Sequence, residues 1–253
     1  MSGTLYIVGL GPGTAAQMTP QAQEAIAASS HFLGYKPYID RLDLRADQTA
    51  LPSDNREELD RARAALDLAA GGHVVTMVSG GDPGVFAMAA AVCEALDAEP
   101  ERWAATELVV VPGITAMLAV AARIGAPLGN DFCAISLSDN LKPWSVIERR
   151  VRAAAEAGFV MAFYNPISKA RPWQLGAALD MLRTILPGET VVIVGRAVGR
   201  KDETVGHQTL ATVRPEDIDM STCLIVGNRL TRVVAREGQS DLVYTPRWVK
   251  QDE

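Results

Sequence analysis

Short apolar runs alternate along the chain with longer amphipathic segments. The runs Thr4–Val8 and His73–Val78 are rich in β-branched residues, which is typical of buried strands. The segment 57–70 instead carries its leucines and alanines at helical spacing, and two glycines follow it as a stop signal. This alternation predicts a mostly parallel sheet with helices on both faces. The polar stretch 40–56 interrupts the pattern and predicts a surface connection.

The alternation resumes in the second half of the chain. Its apolar patterning predicts strands over 132–137, 159–164, 190–194, 203–213 and 223–227, and helices over 145–157 and 173–186. The glycine- and proline-containing segment 125–130 is the best candidate for a linker. We therefore predict two α/β domains with mostly parallel or mixed sheets, an N-terminal domain over 1–124 and a C-terminal domain over 131–253. A single barrel fits less well because it needs eight regular strand–helix units.

Composition and charge exclude several classes of protein. The 253 residues carry a net charge of -6 and no basic block, so nucleic acid is not expected as a partner. The longest apolar stretch, 109–122, is broken by Pro112-Gly113, so no membrane span is expected. The three cysteines, Cys93, Cys133 and Cys223, lie far apart inside apolar runs without metal-ligand spacing. They predict reduced core residues in a cytoplasmic protein.

The turn Ser79–Gly84 is the first candidate for chemistry. It follows the predicted strand 73–78 and precedes a predicted helix over 85–96. Open α/β sheets bind ligands at the carboxyl ends of their strands, and the glycines of this turn let a ligand approach the backbone closely. A tight strand-to-helix turn without a ligand explains the same residues.

Common site chemistries match the chain poorly. Gly9-x-Gly11 invites a dinucleotide interpretation, but Thr14 stands where the third glycine is needed and Pro12 lacks the amide that a pyrophosphate would use. A nicotinamide-binding oxidoreductase therefore remains only as the alternative from a different class. No lysine follows the glycines as in a P-loop, and the three histidines are dispersed, so no metal site is predicted.

Four ordered glycine-containing motifs together resemble the tetrapyrrole methylases, S-adenosylmethionine (SAM) dependent enzymes of corrin and sirohaem synthesis. These motifs are Val8–Gly13, Ser79–Gly84, Pro112–Ala116 and Gly195–Ala197. The resemblance spans nearly the whole chain. Four segments are most similar to the branch of this family that methylates C17 of a precorrin ring, namely 80–88, 134–144, 163–166 and 195–203.

The resemblance implies a homodimer of two α/β domains with SAM in the cleft between them. The implied reaction is methyl transfer to C17 of precorrin-3B, or of its cobalt form, with ring contraction; methylation at another ring position is the alternative within the family. By motif position, the implied cofactor contacts are Pro12, Gly80, Gly81, Asp82, Val85, Thr115, Ala116, Asn165 and Ala197. Asn165 stands where relatives often have methionine, and Ala197 where many have glycine.

Physical chemistry adds candidate roles beside the resemblance. A sulfonium is already activated, so alignment matters most and a strong general base is not required. Asp82 either accepts hydrogen bonds from the cofactor or caps the helix that follows. Asp139 is a candidate for proton handling in ring contraction, although a Ser-Asp-Asn turn explains it equally well.

The substrate of this family carries many carboxylate arms, which an acidic protein must meet with local cations. The predicted substrate contacts are Lys142, Arg196 and Lys201, with Gly11 and Gly13 of the first turn. The further cations Lys169, Arg171 and Arg200 are predicted on the same edge of the second sheet. For each cation taken singly, a solvated surface charge is the alternative.

Overall fold

A computed structural model describes residues 3–54 and 57–249 of the chain. The chain divides into two compact units, Met1–Thr115 and Ala116–Glu253. This division lies ahead of the predicted linker 125–130, because the helix Ala116–Ile124 belongs with the second unit. Its residues Ala119 and Val120 are buried in one apolar cluster with strand residues of that unit.

The first unit is a parallel sheet with helices on both faces. Its strands are β1 (Thr4–Gly9), β2 (His31–Tyr35), β3 (Thr49–Ser53), β4 (Val74–Ser79) and β5 (Glu107–Val111). Its helices are α1 (Pro20–Ala28), α2 (Lys36–Ile39), α3 (Glu58–Ala70) and α4 (Met88–Ala98). The strand order is β3-β2-β4-β1-β5, and every pairing is parallel. The predicted class of this half is confirmed.

The central strand β1 shows why helices cover both faces of this sheet. Leu5 and Ile7 are fully buried in a cluster with residues of α3 and α4. Val8 lies on the other side, in a cluster with residues of α1. The start of helix α1 is stabilised by Thr19 and Pro20, since the Thr19 side chain accepts a hydrogen bond from the Ala22 amide at 3.1 Å and Pro20 takes the first helical position.

The second unit contains a mixed sheet and a small three-stranded sheet. Its strands are β6 (Gly125–Ala126), β7 (Phe132–Ser136), β8 (Val160–Tyr164), β9 (Val191–Arg196), β10 (Thr204–Thr209), β11 (Thr222–Val226), β12 (Arg232–Val234) and β13 (Leu242–Tyr244). Its helices are α5 (Ala116–Ile124), α6 (Trp144–Glu156) and α7 (Gln174–Arg183). The orders are β10-β9-β11-β8-β7 and β12-β13-β6.

Strand directions fix one functional edge of the larger sheet. β7 and β8 are parallel, and β11 is antiparallel to both β8 and β9. β9 therefore runs in the same direction as β7 and β8. The carboxyl ends of these three strands lie at the same edge, which agrees with the predicted mixed α/β class.

Two secondary-structure predictions were wrong, and three short strands were not predicted. The predicted surface connection 40–56 contains β3, a mostly exposed edge strand that includes Pro52, so it lacks the apolar pattern of a buried strand. Helix α4 begins at Met88 rather than at residue 85, because a turn occupies the intervening positions. The short strands β6, β12 and β13 had no sequence signal, and β6 lies inside the predicted linker, where it pairs with β13.

The cysteines differ from one another in exposure. All three are free, but Cys93 is exposed on α4, so the prediction that all three are core residues was wrong. The buried stripe of α4 runs through Met88, Val92 and Ala95, and Cys93 lies beside it. Cys223 is buried, which raises the pKa of its thiol to about 12. No helix in the described part of the chain is both long and apolar enough to cross a membrane.

Candidate functional site

Three turns of the first unit meet at one edge of its sheet. β4, β1 and β5 are adjacent and parallel, so the turns that follow them come together. Gly11 and Gly81 exchange two backbone hydrogen bonds, with N–O distances of 3.1 and 3.0 Å. Both have positive φ, +65° and +68°, a conformation that glycine adopts without steric cost. The first and second motifs are thereby joined through their backbones.

The third motif packs against these two turns without space for side chains. A Cβ on Gly113 would lie 2.2 Å from the carbonyl oxygen of Gly81. A Cβ on Gly9 would lie 2.6 Å from the same oxygen and 2.8 Å from the Gly113 nitrogen. Glycine at these positions therefore allows the neighbouring turns to pack closely against each other. Gly80, Gly81 and Asp82 remain partly exposed, so a ligand can reach this turn.

The Asp82 side chain fastens the second turn to the third. Its Oδ1 accepts a hydrogen bond from the Gly84 amide at 2.8 Å, and its Oδ2 accepts one from the Gly113 amide at 3.0 Å. The alternative that Asp82 caps the following helix was wrong, because α4 begins at Met88 and its N-cap residue is Ala87.

Two residues that sequence reasoning missed support the same turns. Arg41 Nη2 approaches the carbonyl oxygens of Leu10, Gly11 and Gly13 at 2.9, 3.2 and 3.2 Å. The ring of Tyr38 lies so close to Gly80 that a Cβ there would be 2.7 Å from it. No motif marks these residues in the sequence, because they act only once β2 lies beside β4.

In the second unit, three implied cofactor positions lie at the edge formed by β7, β8 and β9. Asn165, directly after β8, donates from Nδ2 to the Ser136 Oγ at the end of β7 at 3.0 Å. The Tyr164 hydroxyl accepts a hydrogen bond from the Met117 amide at 3.0 Å, which places the start of α5, and with it Ala116, next to this edge. Ala197 follows β9 and donates from its amide to the Ser221 carbonyl at 2.9 Å.

Strained backbone occurs in the turn regions that follow β4, β8 and β9. Among the described residues other than glycine, positive φ occurs at Phe86, Asn165 and Ala197, at 53°, 50° and 49°. Two of them are implied cofactor positions and the third follows the Ser79–Gly84 turn. Strained backbone of this kind is found at ligand sites more often than elsewhere.

Replacing Ala197 by glycine is expected to stabilise the protein by about 0.5 kcal/mol. Glycine removes the left-handed strain, and this gain exceeds the cost of a more flexible unfolded chain. The matched control is Ala157→Gly at an exposed position with φ of -79°, where glycine only adds flexibility and should destabilise. Urea unfolding midpoints test the pair, and equal destabilisation of both variants would contradict strain at residue 197.

The structure places Asp139 next to a buried amide. Both of its carboxylate oxygens accept hydrogen bonds from Gln174 Nε2, at 3.0 Å each. Gln174 is 1% exposed, and its Oε1 has no hydrogen-bond partner among the described residues. Asp139 is thus held at the β7–β8 edge, and its role in proton transfer remains a prediction.

The predicted substrate cations have different surroundings. Arg196 forms ion pairs with Asp219 at 2.7 Å and Asp202 at 2.9 Å, and its hydrogen bonds to these carboxylates, with Asp219 first, raise the pKa of the guanidinium. Lys142 is partly buried, and burial, followed by the charge of Arg150, lowers the pKa of its ammonium group. Lys201 is exposed. The charge of Arg196 is therefore already balanced by two carboxylates of the same chain.

The described residues contain no group of three or more histidine, cysteine, aspartate or glutamate side chains that could hold a metal ion. The polar groups at both edges are instead backbone amides and carbonyls together with isolated amide, hydroxyl, carboxylate and guanidinium side chains. Such groups suit an organic ligand held mainly by hydrogen bonds.

A parallel α/β unit with glycine turns joined at one edge, followed by a mixed α/β unit, defines the class. The chain belongs to the tetrapyrrole (corrin/porphyrin) methylases, whose family model matches residues 4–214. It is 66% identical over 248 residues to the precorrin-3B C(17)-methyltransferase of a Sinorhizobium species, and the match covers 98% of each chain.

Solved structures show the same fold. The crystal structure of the methyltransferase CobJ is 49% identical, with a TM-score of 0.92 over 97% of this chain and 100% of that one. A uroporphyrin-III C-methyltransferase of Thermus thermophilus, solved with S-adenosylhomocysteine, has a TM-score of 0.67 at 19% identity, over 89% of this chain and 97% of that one. This second likeness shows the fold alone.

Proposed function

We propose that the protein transfers a methyl group from SAM to C17 of precorrin-3B, with contraction of the macrocycle, in corrin biosynthesis. The observation that carries this proposal is the 66% identity to a precorrin-3B C(17)-methyltransferase over 98% of both chains. The motifs most similar to the C17-methylating branch include the Phe163–Pro166 segment, whose Asn165 is hydrogen-bonded to Ser136.

The residues present suit SAM, which would supply the activated methyl group. In the first unit we assign to it Pro12, Gly80, Gly81, Asp82, Val85 and Thr115. In the second unit we assign Ala116, Asn165 and Ala197. Gly80, Gly81 and Asp82 fit this role because they are partly exposed and because Tyr38 and Arg41 hold the surrounding turns in place. The joined glycine turns bring main-chain amides and carbonyls to one edge of the sheet. Such groups can hydrogen-bond the adenosine part of SAM, which carries no charge.

Alignment is the main task that the chain's own residues perform. The Asp82 bridge to Gly113 and the Gly11–Gly81 backbone pair fix the first-unit edge before a ligand arrives. Pre-formed geometry of this kind lowers the entropic cost of an in-line transfer.

Asp139, held by Gln174, is the candidate acceptor for the proton that leaves the ring during contraction. Gly11, Gly13, Lys142 and Lys201 are proposed to contact the substrate, whereas the carboxylates of Asp202 and Asp219 compete for Arg196.

Purified protein given SAM and precorrin-3B is expected to yield a product that is one methyl group heavier, with a changed visible spectrum. The same assay with the cobalt-containing form distinguishes the two forms of the substrate that the resemblance leaves open. NMR with a labelled methyl group identifies the methylated carbon. No mass gain with fresh substrate would refute the proposal, and label at a carbon other than C17 would favour the alternative methylase.

A ligand-induced thermal shift separates the methylase from the nicotinamide-binding alternative. Only a ligand of the native state raises the unfolding temperature. Stabilisation by S-adenosylhomocysteine but not by NAD supports the methylase, and the reverse result supports an oxidoreductase. We further propose a cytoplasmic homodimer, which the resemblance to the family supports and which sedimentation of the purified protein tests.

A further inference from the structure

Arg171 is a buried cation without an acidic partner. The residue is 7% exposed. Its only side-chain hydrogen bond to a described residue runs from Nη1 to the Asn165 carbonyl at 3.1 Å. None of the ion pairs between described residues includes it. Burying a charge is costly unless an opposite charge accompanies it, so this site is incomplete without an anion.

The backbone around Arg171 is held in place by the loop itself. Ser168 and Arg171 exchange two backbone hydrogen bonds, with N–O distances of 3.1 and 3.0 Å. The residue that accepts from the guanidinium, Asn165, has a φ of 50° and is tied to Ser136. The Arg171 backbone is thus fixed at the carboxyl end of β8 before any ligand binds.

The guanidinium keeps donors available for a ligand. Nε and Nη2 of Arg171 make no hydrogen bond with a described residue. Neither belongs to the side-chain nitrogens that are fully shielded from solvent and without a partner, so both remain accessible. The carboxylate of Asp139 belongs to the same edge and accepts hydrogen bonds from Gln174, but among the described residues it forms no ion pair with Arg171. Arginine presents its donors as a planar fork, which matches the two oxygens of a carboxylate.

We propose that Arg171 binds a carboxylate group of a ligand at the β7–β8 edge. Two sources share this chemistry, an acidic arm of the tetrapyrrole and the amino-acid carboxylate of SAM. The identity of these two ligands rests on the proposed function. A bound carboxylate supplies the counter-charge that the Arg171 guanidinium lacks. Binding is then favoured by the new ion pair and because the buried charge is no longer unpaired.

Arg171→Met tests the proposal by direct binding, which does not need turnover. The probes are S-adenosylhomocysteine, 5′-methylthioadenosine, which lacks the amino-acid carboxylate, and uroporphyrin III as a carboxylate-rich macrocycle. We expect a loss of affinity of about 10- to 100-fold, as for other charge-assisted hydrogen bonds. Loss for S-adenosylhomocysteine but not for 5′-methylthioadenosine assigns the carboxylate to SAM, and loss for uroporphyrin III assigns it to the tetrapyrrole.

The matched control is Arg229→Gln, an exposed arginine beyond β11 at the opposite edge of the sheet. Its affinities should equal those of the parent protein. Thermal stability of Arg171→Met should not fall, since an unpaired buried charge is removed. Arg171→Lys keeps the charge without the fork and is expected to bind several-fold more weakly than the parent, which keeps the test decisive if the methionine variant does not fold.

Unchanged affinity of the Arg171 variants for both carboxylate probes overturns the inference. A parent protein that binds the probes but fails to methylate precorrin-3B would refute the proposed function while leaving the Arg171 result intact. Normal turnover by the parent and by both Arg171 variants, with unchanged binding, would refute the inference alone.

Discussion

Replacing Gly113 by alanine is expected to lower the free energy of unfolding by about 3 kcal/mol, the range of severe overpacking. The added Cβ would lie 2.2 Å from the Gly81 oxygen and 2.9 Å from the carbonyl carbon and oxygen of Gly9. All of these are backbone atoms, so no side-chain rotation can make room. The three turns must separate, and we expect binding of S-adenosylhomocysteine to be lost with them.

The control for Gly113→Ala is Gly206→Ala in β10. A Cβ on Gly206 meets nothing within 4 Å, and its φ is not in the left-handed region, so alanine should be neutral or slightly stabilising. Urea unfolding followed by circular dichroism, together with calorimetric binding of S-adenosylhomocysteine, compares the two variants. Equal unfolding midpoints and affinities would show that the turns tolerate a side chain at residue 113.

Replacing Asp82 by asparagine is expected to weaken binding of S-adenosylhomocysteine by about 10- to 100-fold, the value of one or two charge-assisted hydrogen bonds. The shape of the side chain is kept, but the two oxygens accept from the Gly84 and Gly113 amides. An amide can offer an oxygen to only one of them and turns a donor toward the other. The second and third turns then lose the link that holds them together.

Asp60→Asn is the matched control for this variant. Asp60 lies in the first turn of α3, its side chain is 82% exposed, and its one ion pair with a described residue is to Arg63 at 3.9 Å. The same chemical change there should leave ligand affinity unaltered. Calorimetry measures both variants, and an Asp82→Asn protein that binds as tightly as the parent would mean that the Gly84 and Gly113 contacts serve stability alone.

The glycine turns could be predicted from the sequence because their signals are local. A β-branched run followed by Ser79–Gly84 specifies a strand, a turn and a following helix within about twenty residues. The order of four such motifs, and their resemblance to one family, supported the prediction of two α/β halves. The parallel first sheet follows from the same alternation of strands and helices.

Contacts between distant segments could not be predicted. The Gly11–Gly81 pair depends on the strand order β4-β1-β5, which no local pattern specifies. Arg41 lies in a polar stretch that predicted only a surface connection, yet it reaches the carbonyls of Leu10 and Gly11. Arg196 likewise shows in the sequence as one more cation, whereas its pairing with Asp219 requires β9 to lie beside β11.

The two edges are built from different kinds of atoms, and this determines where new activities can be engineered. The first-unit edge consists largely of main-chain groups pressed together at Gly9, Gly81 and Gly113, so almost any substitution there damages the framework. The turn after β7 instead presents side chains to solvent, such as the partly exposed Ser138 and the exposed Asn140, and these can be replaced with less damage. A library aimed at other macrocycles should therefore vary the second unit and leave the first untouched.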